Sequence, residues 1–151
     1  MSVTMVRRAV LALFCVALAG APSASASSRH DRTEASIIRA MNQARASHGL
    51  PKLRTNRGLA RAADAHSKVM RRTKTVRHGN YTKRVRRYVR TRRVGENIAW
   101  RRGCDPRAIV DMWLRSAPHR AVVLSRSFRR IGVARRGKSL CFVTADFASA
   151  H

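Results

Sequence analysis

Carboxylates are what this 151-residue chain has least of: seven Asp and Glu stand against 33 Lys and Arg, for a formal net charge of +26. With so few acids, each one is worth locating. Lysine is scarce as well, limited to Lys52, Lys68, Lys74, Lys83 and Lys138, so the positive charge is mostly arginine. Neither Gly-x-Ser-x-Gly nor His-Glu-x-x-His occurs, which removes the most readable local signatures of serine and zinc hydrolases. There is no internal repeat and no low-complexity linker, and the length fits one ordinary domain. The composition argues against disorder throughout, because 44% of the residues are apolar, enough to build a core.

The charge implies attraction to polyanions: nucleic acid, anionic lipid head groups or acidic wall polymers. Residues 1–26 read as a secretory signal. Arg7 and Arg8 form its positive region, Ala9 to Gly20 its apolar segment, and Ala24-Ser25-Ala26 its cleavage site. That apolar segment is too short to span a bilayer comfortably. Phe14 before Cys15 argues against lipid attachment, since such sites want a small residue there. After cleavage only Cys104 and Cys141 remain. In an oxidising compartment they are expected to form a disulfide worth about 4 kcal/mol, with two free thiols or an interchain bridge as alternatives.

Residues 27–33 read as a polar lead-in with Thr33 as an N-cap. A helix then carries Ile37, Met41, Ala44 and His48 at helical spacing, ended by Gly49 and Pro51. Asn56 caps a second helix with Leu59, Ala62, Ala63, His66, Val69 and Met70 on one face. His66 on that stripe reads first as a core histidine with a backbone partner, and second as a ligand. The run from Arg71 to Arg93 holds eleven Lys or Arg and no acid. In it His78-Gly79-Asn80 looks like a turn, and Thr82 to Val89 like a short helix with Val85 and Tyr88 or Val89 inward. Tyr81 and Tyr88 among arginines are compatible with base stacking, although such a run is more often a solvated face.

Asp105-Pro106 opens a helix with Ile109, Val110, Trp113 and Leu114 as its buried stripe. Ser116-Ala117-Pro118 ends it and opens another, with Pro118 at the first position and His119 in the first turn. The helix dipole there disfavours a protonated imidazole. Arg130–Ala134 and Ser139–Phe147 flank Arg136-Gly137 as a hairpin, and the second strand is apolar on both faces, as a central covered strand should be. Helices first and strands late indicate a layered α+β domain.

Glu96 is the only carboxylate between Asp64 and Asp105, set in Val94-Gly95-Glu96-Asn97-Ile98-Ala99-Trp100. It is expected to face His78 and His119 across one polar cavity. The plainer alternative is a Glu that only neutralises nearby arginines.

Several blocks in order carry a family resemblance: Met41-Asn42-Gln43-Ala44-Arg45, Gly49-Leu50-Pro51-Lys52-Leu53, His66-Ser67 and Met70, His78, Gly95-Glu96-Asn97-Ile98-Ala99, Trp113 through Arg120, Ile131-Gly132-Val133 and Asp146-Phe147. Over roughly residues 34 to 147 the chain resembles a short bacterial secreted member of the CAP superfamily, the cysteine-rich secretory, antigen 5 and pathogenesis-related-1 group, also called SCP-like. The resemblance implies a domain over residues 34–150, an α-β-α sandwich with a central, mainly antiparallel sheet. It also implies a cavity lined by His78, Glu96 and His119, with Asn97 and Ser116 in support. The second Glu that many eukaryotic members carry after the Trp113 helix is missing.

Two imidazoles and a carboxylate, with water in the fourth position, suit Zn²⁺. Separations of eighteen and twenty-three residues make no local metal motif, so a metal on His78 and His119 rests on the resemblance. An outer-sphere role for Glu96 is an equal alternative. No residue is assigned a catalytic role. A secreted binding function is expected, with a protease-like hydrolase and a basic polyanion or nucleic-acid binder as alternatives. The expected partners are an anionic membrane, a lipid or a cell-wall polymer, with nucleic acid disfavoured and the chain a monomer.

Overall fold

The computed structural model describes residues 24–150, with side chains from residue 32 onward. Most of the expected secretory segment, residues 1–23, lies outside the described residues. Helix α1 spans Ala24–Ser47, so it begins before the expected Thr33 cap and absorbs the supposed lead-in. No Gly or Pro interrupts that stretch, so nothing stops the helix from extending backward. It ends at Gly49, which takes φ +62°. The returning loop is pinned by the Asn42 side chain, which donates to Leu53 O at 3.1 Å and accepts from Leu53 N at 2.8 Å.

The remaining elements are β1 (Arg54–Thr55), α2 (Arg57–Thr73), α3 (Tyr81–Arg86), β2 (Val94–Arg102), α4 (Pro106–Arg115), α5 (Ala117–Val123), β3 (Arg130–Arg136) and β4 (Leu140–Ala148). The sheet runs β1-β3-β4-β2, with β1 parallel to β3 and the other pairs antiparallel. β4 is therefore central, and it is buried on both faces as expected. Alternation along it separates two layers. Cys141, Val143, Ala145 and Phe147 pack with Ile37 and Met41 of α1, Ile109 and Trp113 of α4, and Val123 of α5. From the opposite face, Thr144 receives a 2.9 Å hydrogen bond from Ser67 of α2, and Ala148 joins Leu59, Ala62, Val85 and Val89. The result is the expected α-β-α sandwich.

Asn56 caps α2 through a 3.0 Å bond from Leu59 N, and Asp105 caps α4 through a 2.8 Å bond from Ala108 N. One inward assignment changes, and one open alternative is resolved. Val69 is 39% exposed, because α2 is turned so that Ser67 faces the sheet; at about 100° per residue this swings Val69 to the opposite rim. In the α3 segment Val85 and Val89 are buried while Tyr88 is 43% exposed. In α5, Pro118 takes the second position, after Ala117. Gly132 lets α2 lie directly on β3, since a Cβ there would meet Ala60 N at 2.0 Å. Trp113 is fully buried with its indole N–H donating to Ile98 O at 3.0 Å. Cys104 and Cys141 form the expected disulfide, tying the entry to α4 onto the central strand with Cα atoms 5.5 Å apart.

One cation is built into the interior. Arg45 has no exposed surface, and its guanidinium donates to the carbonyls of Pro51 (3.0 Å), Val123 (2.7 Å), Ser125 (2.9 Å) and Phe128 (3.3 Å). It joins α1 to the end of α5 and to the loop leading into β3.

Candidate functional site

β2 is the outer strand on its side of the sheet, and alternation along it sends neighbouring side chains to opposite layers. Glu96 lies in register with Asp146 of β4, and both are buried, at 5% and 0% exposed. Arg84 of α3 reaches across both, pairing its Nη2 with Glu96 Oε2 and, at 3.2 Å, with Asp146 Oδ1. The second oxygen of Asp146 finds no hydrogen-bond partner.

His78 precedes α3, in a turn where Gly79 takes φ +60° and Asn80 caps the helix by accepting from Lys83 N at 2.9 Å. That turn delivers His78 Nδ1 to Glu96 Oε1 at 2.8 Å. His119 arrives from the other layer. Asn97 Nδ2 donates to its carbonyl at 3.0 Å, and Ser116 Oγ lies 2.8 Å from its Nδ1. The two imidazole centroids are 6.5 Å apart with planes tilted by 32°, and the Tyr81 ring stands edge-on to His78 at 6.1 Å. The three side chains expected to share a cavity are thus brought together, and both supporting residues, Asn97 and Ser116, hold His119. The cysteines lie elsewhere, in the disulfide. His66 is not part of the group: its Nε2 meets Arg77 O at 2.8 Å, the backbone partner expected of a core histidine.

Burial lowers the pKa of His78, and Arg84 lowers it further against the pull of Asp146. Burial, then His78, lowers that of His119. Both rings are therefore held toward the neutral form. Burial pushes Glu96 up to about 7 and Asp146 up to about 8, in each case against Arg84. Two buried carboxylates facing one guanidinium balance its charge when they share one proton.

The carboxylate on His78 Nδ1 assigns the ring proton to that atom and leaves Nε2 as the outward acceptor. Glu96 is committed to His78 and Arg84, so it acts on the ring rather than as a third donor. Among the described residues no three His, Cys, Asp or Glu side chains are grouped as metal ligands. A tetrahedral Zn²⁺ on two imidazoles would set their centroids about 5 Å apart. The 6.5 Å seen here is wider, so the two rings would have to approach each other to share one ion.

Arg84 and Asp146 were missed by the sequence reading. Arg84 is one of eleven like residues in a row, with nothing local to single it out. Asp146 did carry a signal: an acid in a strand covered on both faces needs a buried partner.

The family model described as CAP, the cysteine-rich secretory protein family, matches residues 38–145. An extracellular protein containing an SCP domain from Bacillus anthracis superposes with a TM-score of 0.74 at 30% identity, covering 80% of this chain and 41% of that one. An outer surface protein from Borrelia burgdorferi gives 0.72 at 16% identity, covering 80% and 94%. A cysteine-rich secretory protein from Staphylococcus aureus gives 0.68 at 16%, covering 81% and 40%. The chain thus spans about two-fifths of the Bacillus and Staphylococcus proteins. The two likenesses at 16% speak to fold alone. No curated protein matches the sequence. Among the described residues no helix is long and apolar enough to cross a membrane.

Proposed function

Because the chain belongs to the cysteine-rich secretory protein (CAP) family, we propose that it is an extracellular binding domain whose His78–His119 pair takes a divalent cation of the zinc class. The observation that carries this is the 2.8 Å bond from His78 Nδ1 to the buried Glu96, with the His119 ring 6.5 Å away. A carboxylate behind a histidine fixes its tautomer and makes its outer nitrogen a better donor. Depressed histidine pKa values keep both lone pairs available at neutral pH. His78 and His119 would hold the cation, Glu96 and Ser116 would orient them, and Asn97 would position the His119 backbone. Bound there, the ion would supply a Lewis-acid centre with open coordination positions for a small ligand.

Hydrolysis is the weaker reading. The Ser116–His119 contact resembles a nucleophile beside its base, but the carboxylate that would orient the base sits on His78 instead.

Calorimetric titration of Zn²⁺ into the wild type, Glu96→Gln and the His78→Ala/His119→Ala double variant tests the proposal. Saturable heat should vanish in the double variant, and Glu96→Gln should weaken binding by about tenfold or more. Equal heats in the wild type and the double variant would reject the cation site.

A further inference from the structure

A second concentration of charge shares no residue with the His78–Glu96–His119 cluster. A cavity of about 450 Å³ is lined by Arg86, Val89, Arg90, Thr91 and Arg92. A neighbour of about 310 Å³ takes in Arg92, Arg93, Arg126 and Arg129, with Ser127 and Ser149 beside them. The two meet at Arg92. No lining residue is acidic. The ion pairs among the described residues engage Asp64, Glu96 and Asp146, and none involves these six arginines.

The guanidiniums are nevertheless placed. Arg93 Nη1 donates to Ser127 Oγ at 2.8 Å, Arg129 Nη1 to Phe128 O at 3.1 Å, and Arg86 Nη2 to Arg92 O at 3.3 Å. Thr91 and Ser149 hydroxyls meet at 3.0 Å and join the 91–93 segment to the end of β4. Neutral acceptors thus steer these cations without cancelling them. Each guanidinium has five donors in a planar fork, so most remain available to a ligand. Like charges gathered around concave, water-filled space repel one another until an anion enters.

We propose that the two cavities form one arginine cleft that binds a soluble chain of phosphate groups, successive phosphates occupying the spaces on either side of Arg92. Guanidinium forks match phosphate oxygens in pairs, and the hydroxyls of Ser127 and Ser149 line the same space. A soluble chain is favoured over a bilayer by the lining. Surfaces that enter membranes set exposed apolar anchors among their cations, whereas the apolar lining here is Val89, 8% exposed, and the small Ala150. Exposed Trp100 and Tyr88 line neither cavity.

The test compares two variants of equal charge in the full chain: Arg92→Gln/Arg126→Gln in the cleft and Arg71→Gln/Arg72→Gln at the far end of α2. Gly58, in the first turn of α2, abuts Tyr88 and Val89, so Arg71 and Arg72 lie about 20 Å along the helix from the cleft. All four side chains are exposed, so thermal midpoints should match the wild type. Short linear inorganic polyphosphate, titrated at physiological ionic strength, should bind about tenfold or more weakly to the cleft variant and within about twofold of wild type to the α2 variant. Equal weakening in both would reduce the effect to diffuse charge and overturn the proposal. Cleft-dependent binding to phosphatidylglycerol-containing vesicles without binding to polyphosphate would overturn it in favour of a lipid surface.

Discussion

Two arginines, Arg45 fully buried and Arg84 partly so, meet their interior partners in opposite ways. Arg45 spends its fork on four backbone carbonyls and meets no carboxylate. Arg84 faces two carboxylates, Glu96 and Asp146, one more negative charge than it can balance. Carbonyls do not titrate, so the Arg45 clamp is indifferent to pH. The Arg84 cluster can take up or release protons, so its stability is tied to pH. The first tie secures the scaffold, and the second lies directly behind His78.

The largest expected effect comes from removing the clamp. Arg45→Met should cost about 3–5 kcal/mol in guanidinium-chloride unfolding, since it leaves several buried carbonyls without donors. The loss should be the same in acidic and alkaline buffer. A loss under about 1 kcal/mol would mean that those carbonyls find water, and the contrast between the two sites would fail. Arg84→Met should cost less, about 1–3 kcal/mol near pH 5, because the orphaned carboxylates can protonate. Its penalty should grow toward pH 9, where holding those protons becomes harder. A penalty independent of pH would show that the carboxylates do not respond.

The subtlest effect concerns the shared proton. Asp146 and Glu96 have folded-state pKa values raised from 3.8 to about 8 and from 4.5 to about 7. A raised carboxyl pKa means that the folded protein holds protons which the unfolded chain has released. Its contribution is complete below the unfolded pKa and is lost as pH rises through the folded one. His66, His78 and His119, whose pKa values are lowered, oppose this at lower pH. Wild-type stability should therefore fall from about pH 7 to about pH 8, above the titration of unfolded histidine, by up to about 1.4 kcal/mol per unit for each proton. In Asp146→Asn, Glu96 and Arg84 balance without a proton, so that slope should flatten in urea midpoints measured across the same range. An unchanged slope would place the proton elsewhere.

The sequence exposed the parts of this site whose rarity or position marks them. Glu96 stood out because acids are scarce. His119 and Ser116 stood out because a Pro-marked helix start set them one turn apart. The residues behind them were hidden for opposite reasons, Arg84 by abundance and Asp146 by a strand whose apolar neighbours set its reading. Arg45 belonged to a recognisable block, yet nothing in its neighbourhood announced burial, because its four acceptors lie on backbone up to 83 residues away. The hairpin and its central strand were legible from continuous apolar character. β1, two residues long, has no pattern to read. β2 went unassigned because its charged and amide side chains are buried by tertiary contacts rather than by alternation. α1 extended where no residue forbade it.

The disulfide has a direction. Cys141 is sealed within the apolar core, whereas Cys104 is only partly covered and has the Arg135 guanidinium 3.6 Å from its sulfur. An incoming thiolate therefore reaches Cys104 first, drawn by the cation, and must expel Cys141 as an anion born among Val143, Ile109 and their neighbours. Such a leaving group is poor. The bridge should thus resist reductants by kinetics as well as by equilibrium, surviving brief reducing episodes that the fold's free energy alone would not predict.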